Sequence, residues 1–312
     1  MSNQNYSKKD LDLTKDEDYY SNEANWQYMS VSQYKDFMSC EAAALAKLKG
    51  DWEPTSDPIA LLVGNYVHSY FETPEAHKKF KSYNASELFK EGTVADYKKA
   101  LETAEIPFKK NAKKDELLVL LEENEIDIPV GDIRSEFKTA DKMIKRVEKD
   151  PLFNYLWQGD KEVPITGNLY GIEWKGKIDL LNVEKGYFVD LKTSAQLDKR
   201  FWSKDYGRYV SFVEAFGYVI QLGIYEQLLE MKYGKPFTGY IYAVSKQDSP
   251  NIEAIEVDDF KKRTELGFVK QRIDRVEAVK TGQEEPEMCG KCDYCREHKQ
   301  LDGFIESDLL ID

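Results

Sequence analysis

Two acids eleven residues apart, Asp179 and Asp190, constrain this chain more than anything else in it. Residues 172–181 and 187–192 carry the residue types and the alternation of strands. Between them, Asn182-Val183-Glu184-Lys185-Gly186 has the chemistry of a hairpin turn, with glycine at its end. A hairpin sets Asp179 beside Asp190, and the alternation of a strand turns Lys192 to the same side as Asp190. Two carboxylates and an ammonium then converge. Phosphodiester hydrolysis needs an activated water and a neutralised phosphate; Mg²⁺ or Mn²⁺ held by carboxylates supplies both, and a nearby lysine orients the water. On spacing alone, a solvated hairpin face accounts for the same residues.

At 312 residues the chain has room for one large domain or two modest ones, and 41% hydrophobic residues allow a real core. No apolar run approaches the roughly 18 residues that span a membrane. Residues Met1 to Asp10 lack the apolar stretch of a signal peptide, so the expected location is intracellular. A net charge of −13 argues against a general nucleic-acid binder, yet leaves room for one basic groove on an acidic body.

Residues 1–25 are polar and acidic and are expected to be a flexible N-terminus. Helices are expected over Glu41–Lys49, over Pro58–Glu72 with Asp57 as cap, over Ser135–Lys149, over Val210–Lys232 and over Asp258–Lys280. Strands are expected at 162–170, 172–182, 186–193, Phe237–Val244 and Ile252–Val257. The order describes an α+β fold with a mixed sheet. Residues 84–130 read as an insertion: helix Ala95–Thr103, an extended piece at Pro107, and helix Lys113–Glu123, with six lysines against two glutamates from Lys98 to Lys114. This helix–extension–helix resembles small SAP/LEM-like modules, some of which touch DNA and others proteins. The core would then be 26–83 and 131–312.

Three further features accompany the hairpin. Gly64 and His68 share a helix, where an interior glycine costs about 1 kcal/mol and suggests close approach of another element. Glu162 precedes the first core strand. Gln221 and Tyr225, four apart, lie on one helix face. Together these pieces resemble the PD-(D/E)xK nuclease superfamily in its RecB-like branch, and especially phage and prophage RecE-like exonucleases. The matching motifs are G-x-x-x-H, the glutamate, G-x-x-D, D-L-K and Q-x-x-x-Y, in that order. The resemblance implies a restriction-endonuclease-like core with a central mixed sheet flanked by helices. It implies that His68, Asp179, Asp190 and the Leu191 carbonyl ligate Mg²⁺ or Mn²⁺, and that Lys192 acts on the water. Glu162 would be an accessory ligand, while Gln221 and Tyr225 would support the site or contact DNA. The proline of the name motif is absent; Ile178 precedes Asp179.

Cys40, Cys289, Cys292 and Cys295 are the only cysteines. Overlapping C-x-x-C steps suit a metal or cluster better than disulfides, and four thiolates fit either zinc or an iron–sulfur cluster. The one-plus-three split resembles the iron–sulfur nuclease domains of AddB-type and CRISPR-adaptation enzymes, which implies a [4Fe–4S] cluster with structural Zn²⁺ as the alternative. The C-terminal trio is tighter here than in many of those relatives.

Residues 199–209 mix cations with aromatics, so Arg200, Trp202, Lys204 and Arg208 are candidate DNA contacts; an ordinary surface loop is the plainer reading. By the resemblance the chain would be a metal-dependent DNA exonuclease acting on double-stranded ends. It would be phage- or prophage-encoded, cytoplasmic in a bacterial host, and partnered by a single-strand annealing protein, as a homo-oligomer in the ring-forming relatives. Rival readings are a single-strand or CRISPR-adaptation-like nuclease of other polarity, and a non-catalytic DNA-binding protein on the same fold. Intact Asp179, Asp190 and Lys192 speak against the last. No G-x-x-x-x-G-K-[ST] loop is present for ATP.

Overall fold

Five strands form the central sheet, and their order in space follows their order in the chain: β1 (Asp160–Leu169), β2 (Ile172–Asn182), β3 (Tyr187–Ser194), β4 (Thr238–Ser245) and β5 (Ile252–Glu256). The computed structural model describes residues 10–54, 58–203, 206–301 and 303–307; the expected cap Asp57 and the candidate Lys204 lie outside them. β1–β2, β2–β3 and β4–β5 are antiparallel, whereas β3 and β4 run parallel. A parallel pair needs a crossover. Here a helix between β3 and β4 supplies it.

The main helices are α1 (Val31–Ser39), α2 (Glu41–Lys49), α3 (Pro58–Glu72), α4 (Ser135–Glu148), α5 (Tyr218–Tyr233) and α6 (Asp259–Lys280). They cover both faces of the sheet. Phe188, Ile241 and Ala243 pack towards α1, α2, α5 and α6, while Val189, Leu191, Tyr242 and Val244 pack towards α3 and α4. Burial on both faces explains why Tyr187–Leu191 reads as an apolar run broken only by Asp190. Trp174, Phe188, Phe137 and Leu191 are fully buried, each contributing roughly 1.5–3 kcal/mol. α5 ends at Gly234, which takes the left-handed conformation that glycine tolerates. α6 starts at Asp258, whose carboxylate accepts from Phe260 and Lys261.

The expected single helix over Val210–Lys232 is broken. Residues 208–210 form a strand, Phe212–Ala215 is one turn of helix capped by Ser211, and Gly217 at φ 66° separates it from α5. Composition continues through this break; the left-handed glycine and its tertiary contacts impose it.

The acidic N-terminal run also differs from expectation. Asp16–Tyr19 and Asn22–Gln27 are helical, and Tyr19 and Ala24 are buried. Two buried lysines tie this segment down. Lys175 donates to Tyr19 O (2.6 Å) and Asn25 Oδ1 (2.9 Å), and Lys280 donates to Tyr28 O (3.0 Å) and Gln33 Oε1 (3.3 Å). Met29 pairs with β2 beside Trp174, its N–H donating to Glu173 O at 2.7 Å.

In the insertion, strands Phe89–Glu91 and Val130–Ile133 pair antiparallel at the base. Helices Val94–Thr103 and Lys114–Glu123 enclose a small core of Tyr97, Leu101, Ala112, Leu117 and Leu121.

Candidate active site

Asp179 occupies the one rung that β2 omits from its ladder with β1. Lys161 pairs with Leu180 and Val163 with Ile178, so Glu162 lies opposite Asp179 without pairing. Glu162 takes φ 52°, a backbone conformation that costs a side-chain-bearing residue energy and clusters at functional sites. On the other side, the β2–β3 ladder stops at Leu180–Val189, one rung short of Asp179 and Asp190. Three acids on three adjacent strands thus stand at one level. The Leu191 N–H donates instead to Asp179 Oδ2 at 2.7 Å.

The surrounding helices complete the arrangement. His68, from α3, sets Nδ1 3.5 Å from Asp179 Oδ2. Gly64, one turn earlier, lets that helix approach β3, since a Cβ there would lie 3.3 Å from Thr193 Oγ1. Lys192 Nζ lies 2.6 Å from Asp190 Oδ2, the alternation expected of a strand. Gln221 Nε2, from α5, donates to Asp190 Oδ1 at 2.7 Å. Tyr225 is only 7% exposed and its ring lies over Gly176 of β2; what remains open of it lines a cleft with Tyr19, Tyr20 and Lys177. Leu191 is fully buried.

The electrostatics follow from this crowding. Burial, then the charge of Asp190, raises the Asp179 carboxyl well above the usual range. Burial and the charge of Asp179 push Glu162 up to about 7. Burial, then the Lys192 ammonium, lowers His68 and favours the neutral imidazole that serves as a metal ligand. Burial opposes the charge on Lys192, but Asp190 and Asp179 outweigh it and hold the lysine protonated. The charge of Asp190, which adds to burial in raising Asp179, is what a bound cation would relieve. Two or three carboxylates with an imidazole suit a hard divalent ion, so the donor set fits Mg²⁺ or Mn²⁺.

Other residues join the site that the motifs do not include. Lys177 reaches Asp16 at 2.5 Å and Glu162 at 3.4 Å, beneath the rings of Tyr19 and Tyr20. It lies two residues before Asp179, so strand alternation alone could have flagged it. Tyr218 stacks on Lys192, with Nζ 4.7 Å from the ring centroid. Among the expected DNA contacts, Phe201–Ser203 and Arg208–Val210 form a β-hairpin instead of a plain loop. Trp202 and Tyr209 on it are 58% and 60% exposed and meet edge-to-face at 5.3 Å. Arg200 lies over Tyr209, while Arg208 is already paired with Glu214 at 2.8 Å.

The four cysteines converge away from these acids. Their sulfurs all lie within 4.8 Å of one another, Cys40 Sγ at 3.5 Å and Cys289 Sγ at 3.8 Å from Cys295 Sγ. The N–H groups of Lys291 and Cys292 hold the Cys289 thiol down to about 6, whereas burial pushes Cys295 up to about 12. Four thiols this close fit a metal centre. With a zinc–sulfur bond of about 2.3 Å, a tetrahedral site has sulfur edges of about 3.8 Å. A cubane, whose four thiolates bind four different irons, needs them farther apart.

Residues 30–298 match the family model described as "PDDEXK-like domain of unknown function (DUF3799)". The crystal structure of a Eubacterium rectale protein provisionally described as an exonuclease superposes with a TM-score of 0.76 at 34% identity, covering 95% of this chain and 97% of that one. A second solved structure, SSO0001, covers 65% of this chain and 94% of that one at 17% identity and a TM-score of 0.26, too distant to carry an argument. No curated protein matches the chain. The missing rung at Asp179, the D-L-K of β3 and the glutamine of α5 all lie within the matched residues, and the chain belongs to the PDDEXK-like (DUF3799) family of the PD-(D/E)xK nuclease superfamily.

Proposed function

We infer that the chain is a divalent-metal-dependent deoxyribonuclease that acts on DNA ends. One observation carries this reading: Glu162, Asp179 and Asp190 stand level on three strands, with Lys192 held against Asp190. His68, Asp179, Asp190 and the Leu191 carbonyl would hold Mg²⁺ or Mn²⁺. Bound there, the ion would lower the pKa of a water and neutralise charge on the phosphate. Lys192 keeps its proton and would donate to the attacked phosphate or align the water. Gln221 fixes the Asp190 carboxylate.

The Eubacterium rectale protein's exonuclease description supports end-directed cleavage, and the exposed hairpin of Trp202 and Tyr209 beside Arg200 offers a grip for a strand. End processing for recombination, with an annealing protein as partner and a phage or prophage origin, extends this reading. For the cysteines we propose a structural metal centre that clips α2 to the C-terminal segment.

The test uses end-labelled linear duplex and covalently closed circular DNA with Mg²⁺ or Mn²⁺, beside Asp190→Ala. Cleavage of the linear DNA by the wild type, absent in the variant, is expected. A wild type that degrades nothing the variant spares ends the nuclease reading.

A further inference from the structure

The break before α5 does more than interrupt a helix. Phe216 is 45% exposed at the turn where Gly217 takes φ 66°. Lys35 of α1 holds this turn from below. Its Nζ donates to Phe216 O at 2.9 Å and lies 5.5 Å from the Tyr218 ring centroid. A Cβ at residue 217 would lie 2.7 Å from the Lys35 stem, so only glycine satisfies both the dihedral angle and the contact.

The rings form a continuous series leading away from the acids. Lys192 lies over Tyr218, Tyr218 is 6.1 Å from Phe216, and Phe216 meets Phe201 edge-to-face at 5.1 Å. Phe201 opens the hairpin that carries Trp202. Beside the series is a cavity of about 300 Å³, lined by Thr193, Gln196, Lys199, Phe201, Phe216 and Tyr218. Thr193 directly follows Lys192, and Lys199 Nζ lies 5.3 Å from the Phe201 ring centroid. The small volume is at the lower end for ligand sites. On a chain with a net charge of −13, Lys199 lines this cavity, and Lys35 and Lys192 both lie over the Tyr218 ring that forms part of its wall. Aromatic faces interleaved with cations suit bases joined by phosphates; an apolar ligand would gain nothing from the lysines.

We propose that Phe216 and Tyr218 form a stacking subsite for one unpaired nucleobase of the strand whose phosphate lies at Lys192, with Lys35 and Lys199 on the flanking phosphates. This rests on the nuclease reading and sharpens it: the substrate at the site is a single strand or a frayed end, since a paired base offers no free face to the cavity. The hairpin would then sit where the strands separate.

The probe is a single-stranded oligonucleotide carrying 2-aminopurine at its terminal position, bound to full-length Asp190→Ala protein. Stacking on an aromatic quenches its fluorescence. Binding is expected to quench it, and adding Phe216→Ala or Tyr218→Leu is expected to restore the signal and weaken binding about tenfold. Tyr218→Phe, which keeps the ring, is expected to retain the quenching and guards against mere misfolding. Quenching and affinity unchanged in both ring-deleting variants overturn the subsite. If the wild type still cleaves DNA in that case, the nuclease reading survives it; if the wild type neither cleaves nor binds any strand, both fall.

Discussion

Gln221 Nε2 donates to Asp190 Oδ1 at 2.7 Å while Lys192 Nζ holds the other oxygen at 2.6 Å, so one carboxylate is fixed from a helix and a strand at once. Removing the helix contact should loosen the acid without unfolding the sheet. Gln221→Leu is expected to lower cleavage or metal affinity by about 10–100-fold, the usual effect of losing such a supporting hydrogen bond. Single-turnover rates over a Mn²⁺ titration measure it. Rates and metal dependence indistinguishable from the wild type would mean that Gln221 only packs.

Lys175 and Lys280 have carbonyl and amide partners rather than a paired carboxylate, and burial holds both ammoniums down to about 8. In the unfolded chain a lysine keeps its proton to about 10.4. Between these values the unfolded state binds more protons, so these lysines favour folding increasingly as pH rises from about 8 to about 10.5. The whole effect for one lysine is roughly 3 kcal/mol. Buried Tyr34, pushed up to about 12, works the other way at higher pH still. Comparison with Lys280→Met cancels such background. The wild type should gain on the variant across that window in denaturant melts, and a constant difference would contradict the buried charge.

Gly176 lies under the Tyr225 ring, where a Cβ would collide with it. Gly176→Ala should cost about 1–3 kcal/mol of stability through overpacking. It should also reduce cleavage, since Asp179 lies three residues on in the same strand. Pairing it with Tyr225→Leu makes room, and partial recovery of the melting temperature is the expected sign. A Gly176→Ala protein that melts like the wild type would show that the ring moves freely.

Cys40→Ser should release whatever the four sulfurs bind and lower the melting temperature, because Cys40 supplies the only sulfur from outside the C-terminal trio. Metal analysis and visible absorption identify the occupant. A colourless protein with about one zinc per chain matches the observed sulfur spacing, and a brown protein with broad absorption matches the resemblance to iron–sulfur nucleases. Full metal retention in the variant would exclude Cys40 as a ligand.

The nearness of Asp179, Asp190 and Lys192 was legible because a hairpin and the two-residue period of a strand place them before any tertiary contact is known, whereas Gln221 came to them only through the motif order of the resemblance. The mixed α+β sheet was legible for the same reason, strand by strand. Lys177 obeyed the same alternation and was passed over only because it belongs to no motif. Asp16, Tyr20 and Lys35 could not be read: each reaches its neighbours from a segment far away in the chain, and nothing local marks the encounter. The break at Gly217 was hidden because Val210–Lys232 keeps a helical composition on both sides of one glycine. Tyr225 was legible as sharing a helix face with Gln221, but the fit of its ring over Gly176 was not.

The meeting of Cys40 with Cys295 joins residues 255 positions apart. During synthesis the N-terminal partner leaves the ribosome long before the other, and His68, both aspartates and Lys192 all emerge in the interval. The clasp therefore forms late in the growth of the chain, and the loop-closure cost of so distant a pair is lowered by a sheet already assembled between them. Core packing and the Glu41–Arg275 pair can hold α2 before then, while Cys40 waits for the three sulfurs that complete the cluster.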